Sequence, residues 1–373
     1  MFLALHEIRR GPVRFSLLAL AIGLLLFLVL FQQAIQNGLI TSFVGALRNQ
    51  SAPVIVYSLD GQRTLQGSTI SSDVEASVRE VQGIGTAARV GQGTFTVTVG
   101  DGEPVDASII GSEDPGLGHP SELSGGRAVE AGGEAIGSDA DFEVGDEVAV
   151  LAAGGAEPVT IAVVGVARDV QLSVEPTLFT DLSTYEDAVK AVNPRAPSVP
   201  VNGLFVRPAD GVDPAELSER INEATPDADA VTREVAADTA PGVAQVRQSF
   251  QIIFALYGLV VPLVTGLFFL IVTLQKARSL TLLRAVGART GVLASALVIQ
   301  VVAVTAVGIV VGTGLYRLVT GMGAVGGLTL RFDAVLVASW AAGFLVLAVV
   351  GSLASLRRVL QIDPIDATTG AGG

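Results

Sequence analysis

Four basic side chains lie in a short stretch, Leu274 to Val292, that contains no acidic residue. They are Lys276, Arg278, Arg284 and Arg289. Ammonium and guanidinium groups bind phosphates or carboxylates, so this stretch is suited to recognise an anionic group. Leucines and Val286 recur between them at helical spacing, and Gly287 stands where a helix should end. The pattern predicts one short amphipathic helix, and its periodicity leaves open a helix that lies in lipid headgroups without a partner.

Patterns for catalysis or metal binding are weak elsewhere. Leu123-Ser-Gly-Gly126 matches the start of a nucleotide-binding signature, but neither Lys190 nor Lys276 ends a glycine-rich phosphate loop. His6 and His119 lack zinc-ligand spacing, the sequence has no cysteine, and no calcium-loop pattern occurs. A G-x-S-x-G nucleophile motif is also missing from the sequence. We therefore predict no metal site, no directly bound cofactor and no catalysis by this chain.

Apolar residues are concentrated in four runs, and they make up 50% of the 373 residues. A helix needs about 20 apolar residues to cross a bilayer, and each run meets or approaches that length. The predicted transmembrane helices are residues 15–37, 250–274, 292–316 and 332–356. The lipid bilayer is thus a predicted partner of the chain.

Clusters of arginine precede the first run and follow the last. They are Arg9, Arg10, Arg14, Arg357 and Arg358. Because cytoplasmic loops retain Lys and Arg, both termini and the 275–291 loop are predicted to be cytoplasmic. No small-residue cleavage pattern closes the first run, so we predict an uncleaved helix after an amphipathic segment, 1–14. We thus predict a multi-pass plasma-membrane protein in which segments 38–249 and 317–331 lie outside the cytoplasm and 357–373 forms a cytoplasmic tail.

The segment 38–249 differs in composition, with 32 acidic and 12 basic residues. Its size suits one or two small domains, and its negative charge argues against nucleic-acid binding. β-Branched runs predict strands at Val54–Ser58, Thr94–Val99, Val105–Ile110, Glu147–Leu151, Val159–Val166 and Leu204–Arg207. Helices are predicted at Ser72–Val81, Thr184–Val192 and Pro214–Ala224, the last with Asp213 as N-cap. The predicted fold class is an α-helical integral membrane protein with four transmembrane helices plus a mixed α/β extracytoplasmic domain inserted between helices 1 and 2.

The stretch Arg278-Ser-Leu-Thr-Leu-Leu-Arg-Ala-Val-Gly-Ala288 resembles the coupling-helix motif of MacB/FtsX-like ABC transporter permeases, commonly R-E-I-[GA]-[IL]-L-R-A-[LI]-G-A. The matched or conservatively replaced positions are Arg278, Leu280, Leu283, Arg284, Ala285, Val286, Gly287 and Ala288. Ser279 departs from the usual Glu. The resemblance implies a loop that docks on a separate ATPase subunit. Two ATPase copies, which bind ATP and Mg, would then serve a permease homodimer.

Two further patterns lie in the apolar runs. Aromatic and amide residues near the predicted outer ends of the first two runs suit a groove for an amphipathic substrate, with interfacial anchoring as the alternative. They are Phe31, Gln32, Gln33, Gln251, Phe254 and Tyr257. Gly308 and Gly312 form a G-x-x-x-G pattern that lets helices pack closely, within one subunit or across a dimer.

The family resemblance extends to small four-helix members, including DevC-like and haem-exporting permeases. It implies ATP-driven efflux of a hydrophobic or amphipathic compound by mechanotransmission, with haem as one candidate. The alternative is an FtsX-like signal transmitter that activates an extracytoplasmic cell-wall enzyme without transport. In that case the enzyme or an exported adaptor would be a further partner. A third alternative is lipoprotein extraction.

Overall fold

The computed structural model describes residues 12–153, 157–196, 198–285, 290–322, 324–325 and 328–360. The described residues fall into two compact units. One unit, here called the helical unit, takes its residues from 1–36 and 249–373. The other, here called the inserted domain, is residues 37–248. The predicted N-terminal amphipathic segment and cytoplasmic tail lie mostly outside the described residues, which begin at 12 and end at 360.

The described α-helices are α1 (Pro12–Asn49), α2 (Ser72–Arg79), α3 (Leu182–Val192), α4 (Pro214–Ala224), α5 (Arg233–Thr239), α6 (Val243–Ala285), α7 (Thr290–Thr320) and α8 (Ala334–Leu360). Four of them contain a stretch long and apolar enough to cross a membrane. These stretches are Phe15–Asn49, Val243–Phe268, Val298–Thr320 and Ala334–Leu353. Four spanning helices with the inserted domain between the first two confirm the predicted fold class.

The segment after the second apolar run does not form the separate short helix that its periodicity predicted. Helix α6 instead continues without interruption through Leu274 to Ala285. The sequence explains the continuity, because residues 274–285 include strong helix formers and neither Gly nor Pro. Gly287, the predicted stop, lies outside the described residues.

The inserted domain is built on a ten-stranded sheet. Its strands are β1 (Val54–Ser58), β2 (Ile84–Val99), β3 (Val105–Ser112), β4 (Gly125–Gly126), β5 (Glu134–Ser138), β6 (Glu147–Val150), β7 (Val159–Ala167), β8 (Thr177–Asp181), β9 (Gly203–Pro208) and β10 (Ala228–Thr232). They pair in the order β10-β1-β9-β2-β3-β8-β5-β7-β4, and β6 pairs with both β2 and β7. Strands β2, β3, β8, β5, β7 and β6 thereby close into a ring, which removes exposed edges from this part of the sheet.

Strands β9, β1 and β10 continue the sheet beyond β2, and this part is buried on both faces, as β1 shows. Successive side chains of a strand point to opposite faces. Val54 and Val56 belong to a core with α2 and α4, whereas Ile55 and Tyr57 belong to a core that includes the C-terminal end of α1 and α5. The second core therefore joins α1 to the sheet through buried apolar contacts.

Close packing in the helical unit depends on the glycines of the G-x-x-x-G pattern. A Cβ added at Gly308 of α7 would lie 2.8 Å from the carbonyl oxygen of Ala19 in α1. At Gly312 it would lie 2.6 Å from the carbonyl oxygen of Gly23. The backbones of α1 and α7 thus approach each other within one chain, which is the intrasubunit alternative left open by the sequence.

We predict that Gly308→Val destabilises the protein by overpacking this contact, at a cost of about 1–3 kcal/mol. Gly314→Val is the matched control on the same helix, because a Cβ at Gly314 would meet nothing within 4 Å. Thermal unfolding of the detergent-purified proteins measures the difference. An equal loss of melting temperature in both variants would contradict the contact.

Candidate functional site

The basic segment with the coupling motif lies at the C-terminal end of α6. That helix includes Arg278, Leu280, Leu283, Arg284 and Ala285. The remaining motif positions, Val286, Gly287 and Ala288, lie outside the described residues. Because an α-helix repeats every 3.6 residues, positions 280, 283 and 284 share one side of α6 and position 278 lies on the other.

Three of the six predicted groove residues join one apolar cluster of the helical unit. Phe31 of α1 and Phe254 and Tyr257 of α6 are partly buried against it. Phe31 also stacks on Phe27 with ring centroids 5.6 Å apart. The rings of Phe254 and Tyr257 meet edge to face at 6.3 Å. Both helices thus contribute aromatic rings to one cluster.

The amide residues of the predicted groove are placed differently from one another. The Nε2 of Gln33 donates to the Oε1 of Gln36 at 2.9 Å, and Gln36 is buried. Gln32 is partly buried. Gln251 is exposed, so it stands apart from the buried cluster that the aromatic residues join. The polar side of the candidate groove is therefore best defined on α1.

A contact that the sequence did not predict connects α1 to the inserted domain. The amides of Val174 and Ser173 donate to the carbonyl oxygens of Ser42 and Phe43 at 2.8 and 3.0 Å, and the Ala46 amide donates to the Gln171 oxygen at 2.9 Å. In a regular α-helix the amide of residue 46 bonds the carbonyl of residue 42. Here both of those groups bond residues 169–174, which we call the helix-contact loop.

Backbone conformation and side-chain size both adapt to this contact. Asp169, Ser173 and Val174 adopt left-handed conformations, with φ of 56°, 55° and 65°. Such φ values cost energy in residues other than glycine, most of all in a β-branched one, so the surrounding contacts must hold them. A Cβ at Gly45 would lie 2.3 Å from the Asp169 oxygen, so only glycine allows the loop this close.

Two exposed ion pairs that share one carboxylate add a second connection at the same end of α1. Asp238 Oδ1 accepts from Arg48 of α1 at 3.3 Å and from Arg247 of α6 at 3.0 Å. The two helices that enter and leave the inserted domain therefore share one carboxylate. Exposed pairs contribute about 0–1 kcal/mol each, so this connection is weaker than the hydrogen-bonded loop.

The other residues singled out by the sequence have structural surroundings. Gly125 and Gly126 form β4 and pair with Val166 and Gly165 of β7. His119 is buried, its Nε2 bonds the Thr180 carbonyl oxygen at 2.9 Å, and burial lowers its pKa. His6 lies outside the described residues. Within the described part of the chain, no group of three or more His, Cys, Asp or Glu residues is arranged to hold a metal ion.

Comparison with known proteins adds a match along the whole chain. No family model matches the sequence. The chain is 23% identical over 375 residues to HrtB of Staphylococcus haemolyticus, described as a hemin transport system permease protein. The match covers 99% of each protein.

Two solved structures resemble the inserted domain more distantly. The periplasmic region of MacB from Actinobacillus actinomycetemcomitans is 13% identical, with 52% of this chain and 94% of that chain covered and a TM-score of 0.36. The extracellular domain of the Gram-positive ABC-type transporter YknZ is 11% identical, with 48% and 98% covered and a TM-score of 0.32. Along its full length the chain thus resembles permeases of the MacB/FtsX-like ABC transporter family.

Proposed function

We propose that this permease exports a hydrophobic or amphipathic compound, using ATP that a separate ATPase subunit hydrolyses. The observation that carries the proposal is the full-length match to a relative described as a hemin transport permease. In the proposed topology both termini and the coupling segment are cytoplasmic, and the inserted domain lies outside the plasma membrane. Two copies of the chain and two ATPase copies would form the working transporter.

Continuous helices supply the route from the coupling segment to the inserted domain. Helix α6 has 43 residues and runs from Val243, beside the inserted domain in sequence, to Ala285. At 1.5 Å per residue it is about 65 Å long, enough to cross a bilayer and extend beyond it. Movement imposed at Arg284 by a partner would therefore displace the whole helix. The connection at Asp238 would pass part of that displacement to α1.

The aromatic cluster supports an amphipathic substrate. Phe31, Phe254 and Tyr257 offer flat apolar surface, and Gln33 and Gln36 offer amide groups on the same turn of α1. Ligand sites combine a mainly apolar lining with a few polar groups in this way. Hemin fits that description as a probe.

We predict that Arg284→Glu weakens binding of the cognate ATPase at least tenfold, or about 1.4 kcal/mol, because it reverses a charge within the coupling motif. Lys276→Glu is the control, since it makes the same charge change in the same segment but outside the motif. Affinity is measured in nanodiscs that contain the permease. Equal weakening by both variants would indicate a general charge effect and contradict docking through the motif.

We predict that Phe254→Ala weakens stimulation of the ATPase by hemin or another amphiphile about fivefold, because truncation removes an aromatic contact worth roughly 1 kcal/mol. Leu256→Ala is the control, because Leu256 lies on the same helix and is 56% exposed. Turnover of the assembled complex in nanodiscs is titrated with each compound. If no compound stimulates turnover but an extracytoplasmic hydrolase binds stably, the signal-transmitter function replaces export.

A further inference from the structure

The inserted domain contains a cavity that the proposed transport function does not use. Its volume is about 410 Å³, which falls within the roughly 300–1,000 Å³ of small-molecule sites. Its walls come from the C-terminal end of α1, residues 63–67 after β1, Gln92 of β2, the helix-contact loop and residues 240–241. Five segments that are distant in sequence therefore line one space.

Most of the lining is apolar. Phe43 and Leu47 of α1, Leu65 and Leu172 face this space, together with Pro241. Leu47, Leu65 and Leu172 belong to the buried core that joins α1 to the sheet, so this wall is fixed by packing. The cavity thus offers a preformed surface for the apolar part of a ligand.

The charged group of the lining is the guanidinium of Arg63, and the uncharged polar residues beside it are Thr64, Gln66, Gln92 and Ser173. Arg63 Nε and Nη2 donate to the two carboxylate oxygens of Asp229 at 2.7 and 3.2 Å, which fixes the plane of the group. Its Nη1 makes a longer contact, 3.3 Å, with the Thr239 hydroxyl. The hydrogen bond to Asp229 raises the pKa of Arg63, so the group stays charged. A planar donor is therefore held in place at the cavity wall.

The charge of the lining contrasts with that of its surroundings. The segment 38–249 has 32 acidic and 12 basic residues, a composition that attracts cations. Among the described residues that line the cavity, Arg63 is the charged one and none is Asp or Glu. The cavity consequently favours a ligand that accepts hydrogen bonds over one that carries an ammonium group.

We propose that this cavity binds a small amphipathic molecule whose carboxylate or carbonyl oxygen accepts a hydrogen bond from Arg63 while its apolar part packs on Phe43, Leu47 and Leu172. Such a molecule would touch both α1 and the helix-contact loop, and so would stabilise the contact between them. The site goes beyond the transport function, and its occupancy can be measured without the ATPase. A negative result for ligand binding in the cavity would therefore not affect the transport proposal, and a negative result for transport would not affect the cavity.

The absence of cysteine from the sequence makes a direct test available. Ser173→Cys places the single thiol of the chain in the exposed part of the cavity lining. Full-length protein in nanodiscs is alkylated with a water-soluble maleimide in the presence of 1-naphthaleneacetate, 1-naphthaleneacetamide or 1-naphthylmethylammonium. We expect the carboxylate and the amide to slow alkylation at least fivefold and the ammonium compound to leave the rate unchanged. Ser77→Cys, exposed on α2, should react at one rate throughout.

Two further variants identify the groups that bind the probe. Arg63→Gln in the Ser173→Cys protein should abolish protection, whereas Arg220→Gln, which removes an arginine paired with Glu216 elsewhere on the domain, should retain it. Gln66→Trp, a change at an exposed lining residue, should also abolish protection by filling the cavity. Protection by the ammonium compound, equal protection of Ser77→Cys, or protection that survives both Arg63→Gln and Gln66→Trp would overturn the proposal.

Discussion

The hydrogen bonds between α1 and residues 169–174 fix the end of this helix in the inserted domain. Three backbone bonds and the bond from Asn49 Nδ2 to the Asp169 oxygen, 2.6 Å, hold the helix and the loop together. Each contributes about 1 kcal/mol net, but an unpaired buried group would cost more. The core around α1 and one wall of the cavity depend on this contact, and Gly45 is the residue that permits it.

Two kinds of contact hold α1, one in the helical unit and one in the inserted domain. Within lipid there is little hydrophobic drive between helices, so α1 and α7 rely on close packing at Gly23, Gly308 and Gly312. Within the inserted domain, backbone groups of α1 also bond residues of a loop. The same helix therefore carries a glycine contact in the helical unit and a hydrogen-bonded loop contact in the inserted domain.

Local signals in the sequence predict some elements well and leave others unseen. Val54–Ser58 and Pro214–Ala224 are found with the predicted bounds, and Asp213 caps its helix by accepting from the amides of Ala215 and Glu216. Strands β5, β8 and β10 were missed because, unlike the equally short Val54–Ser58, they lack a clear run of β-branched residues. Aromatic positions near the ends of apolar runs singled out Phe31, Phe254 and Tyr257, which join one apolar cluster, and their role in a substrate groove stays a prediction. The helix-contact loop was not predictable, because its left-handed residues Asp169, Ser173 and Val174 are not glycines.

A disulfide between α1 and the helix-contact loop tests most directly whether the two move as one body. Val44 and Leu172 form an antiparallel bridge, and Cα atoms in such pairs lie about 4.5–5.5 Å apart, within disulfide range. With the double variant Val44→Cys, Leu172→Cys and each single variant as controls, ATP-driven efflux is measured before and after oxidation. Retained efflux in the oxidised double variant is the expected result. Efflux that stops on oxidation and returns on reduction would show that the contact must open during transport. That result would contradict the claim that α1 and the loop move as one body.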